Sequence, residues 1–432
     1  MKCFHFSSGT RKESQISTNP PSGQSNGTSS TEQDVSGSGF SSQSTSDMSA
    51  TSSGTSAFPS FSQKPNSLRV FNFLELKNAT KNFGRSLMVG EGGFGCVYRG
   101  TLRSPEDPHA RVEIAVKQLS QRGLQGHKEW LTEVNFLGIV DHPNLVKLLG
   151  YCAEDAERGI QRLLVYEFMP NKSVEDHLSA RSAAPLTWSM RLRIAVDAAR
   201  GLTYLHEAME PQVIFRDLKT SNILLDEHWN AKLSDFGLAR HGPTGGLTHV
   251  STAVVGTLGY AAPEYIQTGH LTAKSDIWSY GIVLYELITG RRPLDQNRPK
   301  GEQKLLDWIR PYISDIKKFD MIIDPRLERN YSLKSAQKLA AVANSCLMRR
   351  PRARPRMSEV LEMLNRIMEC EDMGTPELPL IRDSQNETAT EEGKTQSIAS
   401  KGTISDLKMR EGRRLVWQGW TPKLVRTPMV PT

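Results

Sequence analysis

Phe215-Arg216-Asp217-Leu218-Lys219-Thr220-Ser221-Asn222, followed by Asp235-Phe236-Gly237, is the stretch on which the reading of this chain turns. It offers a carboxylate at Asp217, an ammonium at Lys219, a carboxamide at Asn222 and a second carboxylate at Asp235. Asp217 is of the type that orients a hydroxyl and accepts its proton, and Lys219 of the type that neutralises oxygens gaining charge. Asn222 and Asp235 bring hard oxygen ligands of the kind Mg²⁺ prefers. The run Asn222-Ile223-Leu224-Leu225-Asp226 reads as a short hairpin strand that fixes these groups to a frame. Alone, such an octapeptide could also be a chance basic-acidic loop, so its flanks decide.

Upstream stands Val89-Gly90-Glu91-Gly92-Gly93-Phe94-Gly95-Cys96-Val97-Tyr98, glycines in GxGxxGxV order between two β-rich runs. Such a hairpin can bring its backbone close over phosphates. The glycine pattern alone would also suit a dinucleotide fold, but that needs a helix after the last glycine, and Cys96 to Gly100 is strand-like. With Ile114-Ala115-Val116-Lys117 following, the pattern resembles a protein kinase, and the stretch above has the spacing of its catalytic loop and metal-binding aspartate. In that likeness Lys117 holds the α- and β-phosphates of ATP, and Val97 and Ala115 wall the adenine. Residues 126–140 put Trp130, Val134 and Leu137 on one helical face. Glu133 in that helix is the expected partner of Lys117, with Glu129 as the competitor. Leu163 to Met169 reads as a buried strand entering the interlobe hinge. The backbone of Glu167 and Met169 is expected at the adenine edge, Tyr166 at the back of the pocket and Leu224 beneath the base.

Thr187 to His206 reads as a long amphipathic helix, its stripe formed by Leu192, Ala195, Ala199, Leu202 and Leu205. Past Gly237 the segment up to Ala262-Pro263-Glu264 is rich in hydroxyls, among them Thr244, Thr248, Ser251, Thr252 and Thr257. Arg216 is a cation that a phosphate on this segment could engage. Asp276 is expected to cap the backbone of the catalytic loop, and Arg354 to pair with Glu264. Phe71 to Phe83 has helical apolar spacing and is expected to pack against the first lobe.

The chain of 432 residues exceeds one average domain and suits a two-lobed core with tails. Its net charge of +7 is spread among interspersed acids and bases, a weak bias rather than a nucleic-acid footprint. Five cysteines without a CxxC pair suggest neither a disulfide framework nor a zinc site, and a reducing compartment is expected. The most apolar run, Ile277 to Ile288, is too short for a membrane span and reads as a buried helix. No secretory signal stretch opens the sequence, so an intracellular protein is expected. Residues 1–67 are dominated by Ser, Thr, Gly, Gln and Asn, a composition expected to stay disordered, and residues 371–432 are expected to behave likewise. Lys2 stands where N-myristoylation requires glycine. Cys3, beside aromatic and basic neighbours, is a candidate for S-acylation, against the alternative of an idle terminal thiol.

These motifs, taken together with Gly123 to Trp130, Leu163 to Asn171, Thr220 to Leu225 and Gly259 to Glu264, resemble a plant receptor-like cytoplasmic kinase of subfamily VII. The likeness covers residues 68–370. It implies an α+β bilobal kinase fold, a β-rich lobe at about 84–169 and a helical lobe at about 170–370. It also implies serine/threonine phosphorylation with ATP and Mg²⁺, downstream of cell-surface pattern-recognition receptors. The partners implied are an upstream receptor kinase and co-receptor, protein substrates with MAP kinase cascade members among the candidates, and the inner face of the plasma membrane. One acyl chain anchors only marginally, which leaves room for cytoplasmic and nuclear pools. Regulatory phosphorylation is expected near Ser251 and Thr252, with Thr257 beside Asp217 and Lys219 as a further candidate. Phe215 stands where the likeness expects histidine, and stacking on Phe236 is expected to replace it. A second reading keeps the chain as an ATP-binding scaffold with little catalysis. The presence of every charged residue of the site speaks against it.

Overall fold

A computed structural model describes residues 68–372, apart from 93–94, 105–106, 108, 120–123, 157–158, 183 and 316. The expectations for the arm up to residue 67, for Cys3 and for the tail past residue 372 lie outside the described residues.

The first lobe is built on a six-stranded sheet of β1 (Arg69–Val70), β2 (Met88–Gly92), β3 (Gly95–Arg103), β4 (Arg111–Leu119), β5 (Leu148–Ala156) and β6 (Gly159–Glu167). The spatial order is β1-β5-β6-β4-β3-β2, antiparallel throughout except for β1, which runs parallel to β5. Alternation in β4 turns Ile114 and Val116 into a small core with Phe71, Leu76 and Leu163. Ala115 and Lys117 therefore point to the other face, where β4 meets β6 in the register Ala115↔Tyr166 and Lys117↔Leu164. Two helices complete the lobe, α1 (Phe73–Ala79) and α2 (Leu124–Leu137). Asn72 caps α1 by accepting from the Glu75 amide at 2.7 Å. Trp130 and Leu137 of α2 are buried, and Trp130 donates its indole N–H to the Leu163 carbonyl at 3.1 Å.

One addition to the expected lobe precedes residue 84. The chain there contributes a strand as well as a helix, because Gly150 leaves room for it. A Cβ on Gly150 would stand 1.9 Å from the Arg69 carbonyl oxygen and 2.7 Å from the Phe71 ring. Phe71 then donates to Tyr151 at 2.9 Å, continuing the pairing past Val70.

The second lobe is helical: α3 (Val174–Leu178), α4 (Trp188–Thr203), α5 (Pro263–Thr268), α6 (Ala273–Thr289), α7 (Leu305–Ile313), α8 (Leu333–Cys346) and α9 (Met357–Asp372). Three short ladders lie among them. They pair β7 (Val213–Ile214) with β10 (Arg240–His241), β8 (Ile223–Leu225) with β9 (Ala231–Leu233), and β11 (Val250–Ser251) with β12 (His270–Leu271). Helix α4 begins at the Thr187 cap and buries the predicted stripe, but it widens into a π-turn over Tyr204–Ala208. Helix α6 is buried nearly all round, as its apolar sequence requires. No helix among the described residues is long and apolar enough to cross a membrane.

Candidate active site

The loop between β7 and β8 carries Asp217, and its position is set from beneath. Asp276, in the first turn of α6, accepts from the Phe215 amide at 2.8 Å and from the Arg216 amide at 2.7 Å. The π-turn after α4 brings His206 within 2.7 Å of the same carboxylate. Such widened turns re-aim a side chain at functional sites. Phe215 meets Phe236 edge-to-face, ring centroids 5.0 Å apart. The aromatic that replaces histidine thus ties the catalytic loop to the segment bearing Asp235.

On this frame Asp217 and Lys219 are both buried and 2.7 Å apart. Thr257 donates to Asp217 Oδ1 at 2.7 Å and accepts from Lys219 Nζ at 2.9 Å. Asn222 donates its amide N–H to the Asp217 carbonyl at 3.0 Å, which turns its own carbonyl oxygen the other way. Ser234, beside Asp235, donates to the Asn222 backbone carbonyl through both its amide (2.8 Å) and its hydroxyl (3.0 Å). The two oxygen donors named from sequence therefore sit on segments that are stitched together.

Across the cleft Lys117 lies 2.5 Å from Glu133 of α2 and 2.8 Å from Asp235. Burial works to lower the lysine's pKa, but the two carboxylates outweigh it and hold the ammonium above its ordinary value. Burial likewise pushes Asp235 up, yet Lys117 beside it prevails and keeps that carboxyl below the usual range. At Glu133 burial prevails over the pull of Lys117, and the carboxyl is raised. The second Glu133 oxygen accepts from the Tyr166 hydroxyl. Of the two competing glutamates, Glu133 is the one bonded to Lys117. Glu129, also buried, lies against Gly237, where an added Cβ would stand 3.3 Å from its Cβ and Cγ. Glycine at 237 eases the approach of α2 to the segment carrying Asp235, since a side chain there would press on Glu129.

Of the predicted nucleotide contacts, Val89, Gly90, Glu91 and Gly92 lie on β2, and Gly95 and Val97 on β3. Gly93 and Phe94 are outside the described residues. Val97 faces Lys117 in the β3–β4 register. Leu224 lies on β8 and bridges to Ser173. Met169 is buried two residues past the end of β6. The Glu167 amide donates to the Lys147 carbonyl at 3.1 Å, and its carboxylate accepts from the Lys147 amide and from Lys232 Nζ, each at 2.8 Å. A base reaching Glu167 is therefore left with its backbone carbonyl.

The hydroxyl-rich segment separates the three modification candidates. Ser251 is exposed on β11. Thr252 accepts from Arg216 at 3.0 Å, while the same guanidinium bonds the Ala253 carbonyl at 2.5 Å and the Tyr265 hydroxyl at 2.7 Å. Thr257 is buried with its hydroxyl engaged, so it is the least open to a modifying enzyme. Arg354 holds Glu264 through a two-pronged pair at 2.6 and 2.8 Å.

Sequence reasoning missed Tyr166 as a partner of Glu133, His206 as a partner of Asp276, and Tyr260. The Tyr260 hydroxyl donates to buried Glu286 at 2.7 Å. No local pattern points to the first or third. For His206, a lone histidine at the end of an apolar stripe was the only signal.

Residues 84–364 match the family described as protein tyrosine and serine/threonine kinase. The chain is 60% identical over 438 aligned residues to the serine/threonine-protein kinase PCRK1 of Arabidopsis thaliana, covering 99% of this chain and all of that protein. It is 59% identical to the serine/threonine-protein kinase PCRK2 of the same plant at similar coverage. The probable serine/threonine-protein kinase PBL2 is 55% identical over 312 residues, 71% of this chain and 72% of that protein.

Proposed function

The chain belongs to the protein tyrosine and serine/threonine kinase family, as a serine/threonine-protein kinase of the receptor-like cytoplasmic type, and from that premise we propose how its residues divide the work. Asp217 orients the substrate hydroxyl and takes its proton as the oxygen attacks the γ-phosphorus, while the bond from that phosphorus to the β–γ bridging oxygen breaks and ADP leaves. Lys219 neutralises the oxygens of the phosphoryl group in transit. Lys117, held by Glu133, grips the α- and β-phosphates of ATP. Asn222 and Asp235 would hold Mg²⁺, and the pair suits it, since both offer hard oxygen donors. When bound, Mg²⁺ offsets charge on the phosphate oxygens. The Thr257 hydroxyl, bonded to both Asp217 and Lys219, shapes the place where a serine or threonine hydroxyl enters.

The observation that carries this reading is the pair of contact chains Glu133–Lys117–Asp235 and Lys219–Asp217–Thr257, whose segments are joined through Asn222 and Ser234. The test is phosphorylation by the purified full chain with ATP and Mg²⁺, beside an Asp217→Ala control, with sites mapped by mass spectrometry. Nucleotide binding without any transfer to serine or threonine would leave the scaffold reading standing instead.

The signalling context extends the proposal. The kinase acts downstream of a cell-surface immune receptor kinase and its co-receptor. Its substrates are proteins, with MAP kinase cascade members among the candidates, and it works at the inner face of the plasma membrane through S-acylated Cys3. Support comes from the sequence likeness to subfamily VII and from the Cys3 surroundings. A Cys3→Ser chain that fractionates with membranes as well as the wild type ends the anchoring part.

A further inference from the structure

We propose that the outer face of the first lobe carries a phosphate-binding cavity, and that its occupant is a phosphorylated serine of the chain's own N-terminal arm. The cavity, about 820 Å³, opens between α1 and the far end of the β3–β4 ladder, away from the catalytic cleft. Its wall brings together Arg69, Arg103 and Arg111 with the polar side chains of Asn78, Thr101 and Ser104.

The ladder register makes the charge arrangement specific. Arg103 and Arg111 stand directly opposite one another as the last pair of β3 and β4. Like charges facing across a ladder are unfavourable, so this pairing costs the fold something unless an anion joins it. One step back along the same face the charge is answered, since Arg99 donates to Glu113. On the opposite wall Arg69 is answered by Glu75 at 2.6 Å. Arg103 and Arg111 have no carboxylate partner among the described residues. Two guanidinium groups beside hydroxyls are the donor set that takes a dianionic phosphate ester, which offers three strong acceptor oxygens.

The position of the cavity selects the occupant. Arg69 lines it, and the arm of residues 1–67 joins the described chain one residue earlier, at Leu68. Of those 67 residues 28 are serine or threonine, and Ser56, Ser60, Ser62 and Ser67 lie within thirteen residues of Arg69. A tethered ligand this close has an effective concentration that a free one seldom matches. The enzyme is itself a serine/threonine kinase, so it can supply the phosphate; the inference rests on the proposed activity for that step alone.

The test uses the full chain after autophosphorylation, treated with a broad-specificity phosphatase while each site is followed by mass spectrometry. At least one phosphate among Ser56, Ser60, Ser62 and Ser67 should be removed about tenfold more slowly in the wild type than in an Arg103→Gln/Arg111→Gln variant. Phosphates on the activation segment, the hydroxyl-rich stretch from Gly237 to Glu264, should be lost at equal rates in both. Both arginines are exposed and outside the catalytic cleft, so the variant should fold and phosphorylate as the wild type does. Equal lability of all arm phosphates overturns the proposal. So does a sample phosphorylated on the activation segment but on none of the four serines. A sample that phosphorylates nothing fails the kinase reading instead. In that case a synthetic phosphopeptide of residues 50–67 decides: binding to wild type and not to the variant keeps the cavity, and binding to neither ends it. Capture of phosphoinositide vesicles through the same arginines, with the arm phosphates still labile, would give the cavity to a lipid and overturn the assignment.

Discussion

Lys117, partly buried, and Lys219, buried, are both ammonium groups set on aspartates, yet they are held in opposite ways. Lys219 bonds Asp217 and Thr257, both from the helical lobe, on a loop whose amides are fixed by Asp276. Lys117 is met by Glu133 from α2 and by Asp235 from the other lobe, so two separately placed elements converge on the strand that carries it. The first arrangement is part of the lobe's own architecture and takes no contact from the sheet lobe. The second exists only while α2 and the Asp235 segment are both seated against β4. On the proposed roles, chemistry thus lies in the rigid half, the one whose contacts all come from its own lobe, and control lies in the joint. The burial figures agree: the Asp217 side chain is 2% exposed and that of Asp235 26%.

The most severe way to break the comparison is at the rigid half. Asp217→Asn should lower kcat by about 10²–10⁴-fold while nucleotide affinity stays near the wild-type value, because the residue acts on the entering hydroxyl. A matched loss of nucleotide binding would show that Asp217 holds the fold of the cleft instead. The joint should fail more gently and in a different parameter. Glu133→Gln keeps the shape of the side chain and an oxygen that can still accept from Lys117, but it removes the charge, so Asp235 is the one carboxylate left against the lysine and draws it away from phosphate. Activity should fall about tenfold to a hundredfold with the ATP KM rising as well. A pure kcat effect would mean that Lys117 does not depend on α2 for its position. Tyr166→Phe, which removes only the hydroxyl bonded to Glu133, should fall between Glu133→Gln and wild type.

The division also describes what could be read from the chain. Asp217, Lys219, Asn222, Asp235 and Lys117 were legible because each sits at a fixed short spacing within a run whose residue types the chemistry dictates. Glu133 was legible only as one of two glutamates four apart on one helical face. Choosing between them needed the level at which α2 packs against β4. Tyr166 meets Glu133 from 33 residues away, and Asp276 meets the His206 side chain from 70. Neither contact leaves a periodic trace. Strand β1 has only two residues, too few to show alternation, although Gly150 inside β5 marks a close backbone approach. The Arg103–Arg111 confrontation likewise needs the ladder register before two ordinary surface arginines become neighbours.

The smallest expected effect tests how the rigid half is braced. Glu286 of α6 is buried and accepts from Tyr260 at 2.7 Å and from Thr220 at 3.3 Å. It thereby joins the residue after Lys219 to the segment after Thr257. Burial pushes its carboxyl up to about 8. A raised carboxyl means that the folded chain keeps a proton that the unfolded chain releases near its ordinary value of 4.5. The native state binds the extra proton between those two values, so stability falls as pH rises from about 4.5 to about 8 and levels off above. Glu286→Gln carries no such proton, and its carbonyl can still accept from Tyr260. Activity at neutral pH should therefore change little, while the wild type should lose several degrees of Tm relative to the variant between pH 5 and pH 9, at roughly 2–4 °C per kcal/mol. Melting curves that stay parallel across that range would show that Glu286 ionises freely in the fold, and that the brace beneath the catalytic loop is not a neutral one.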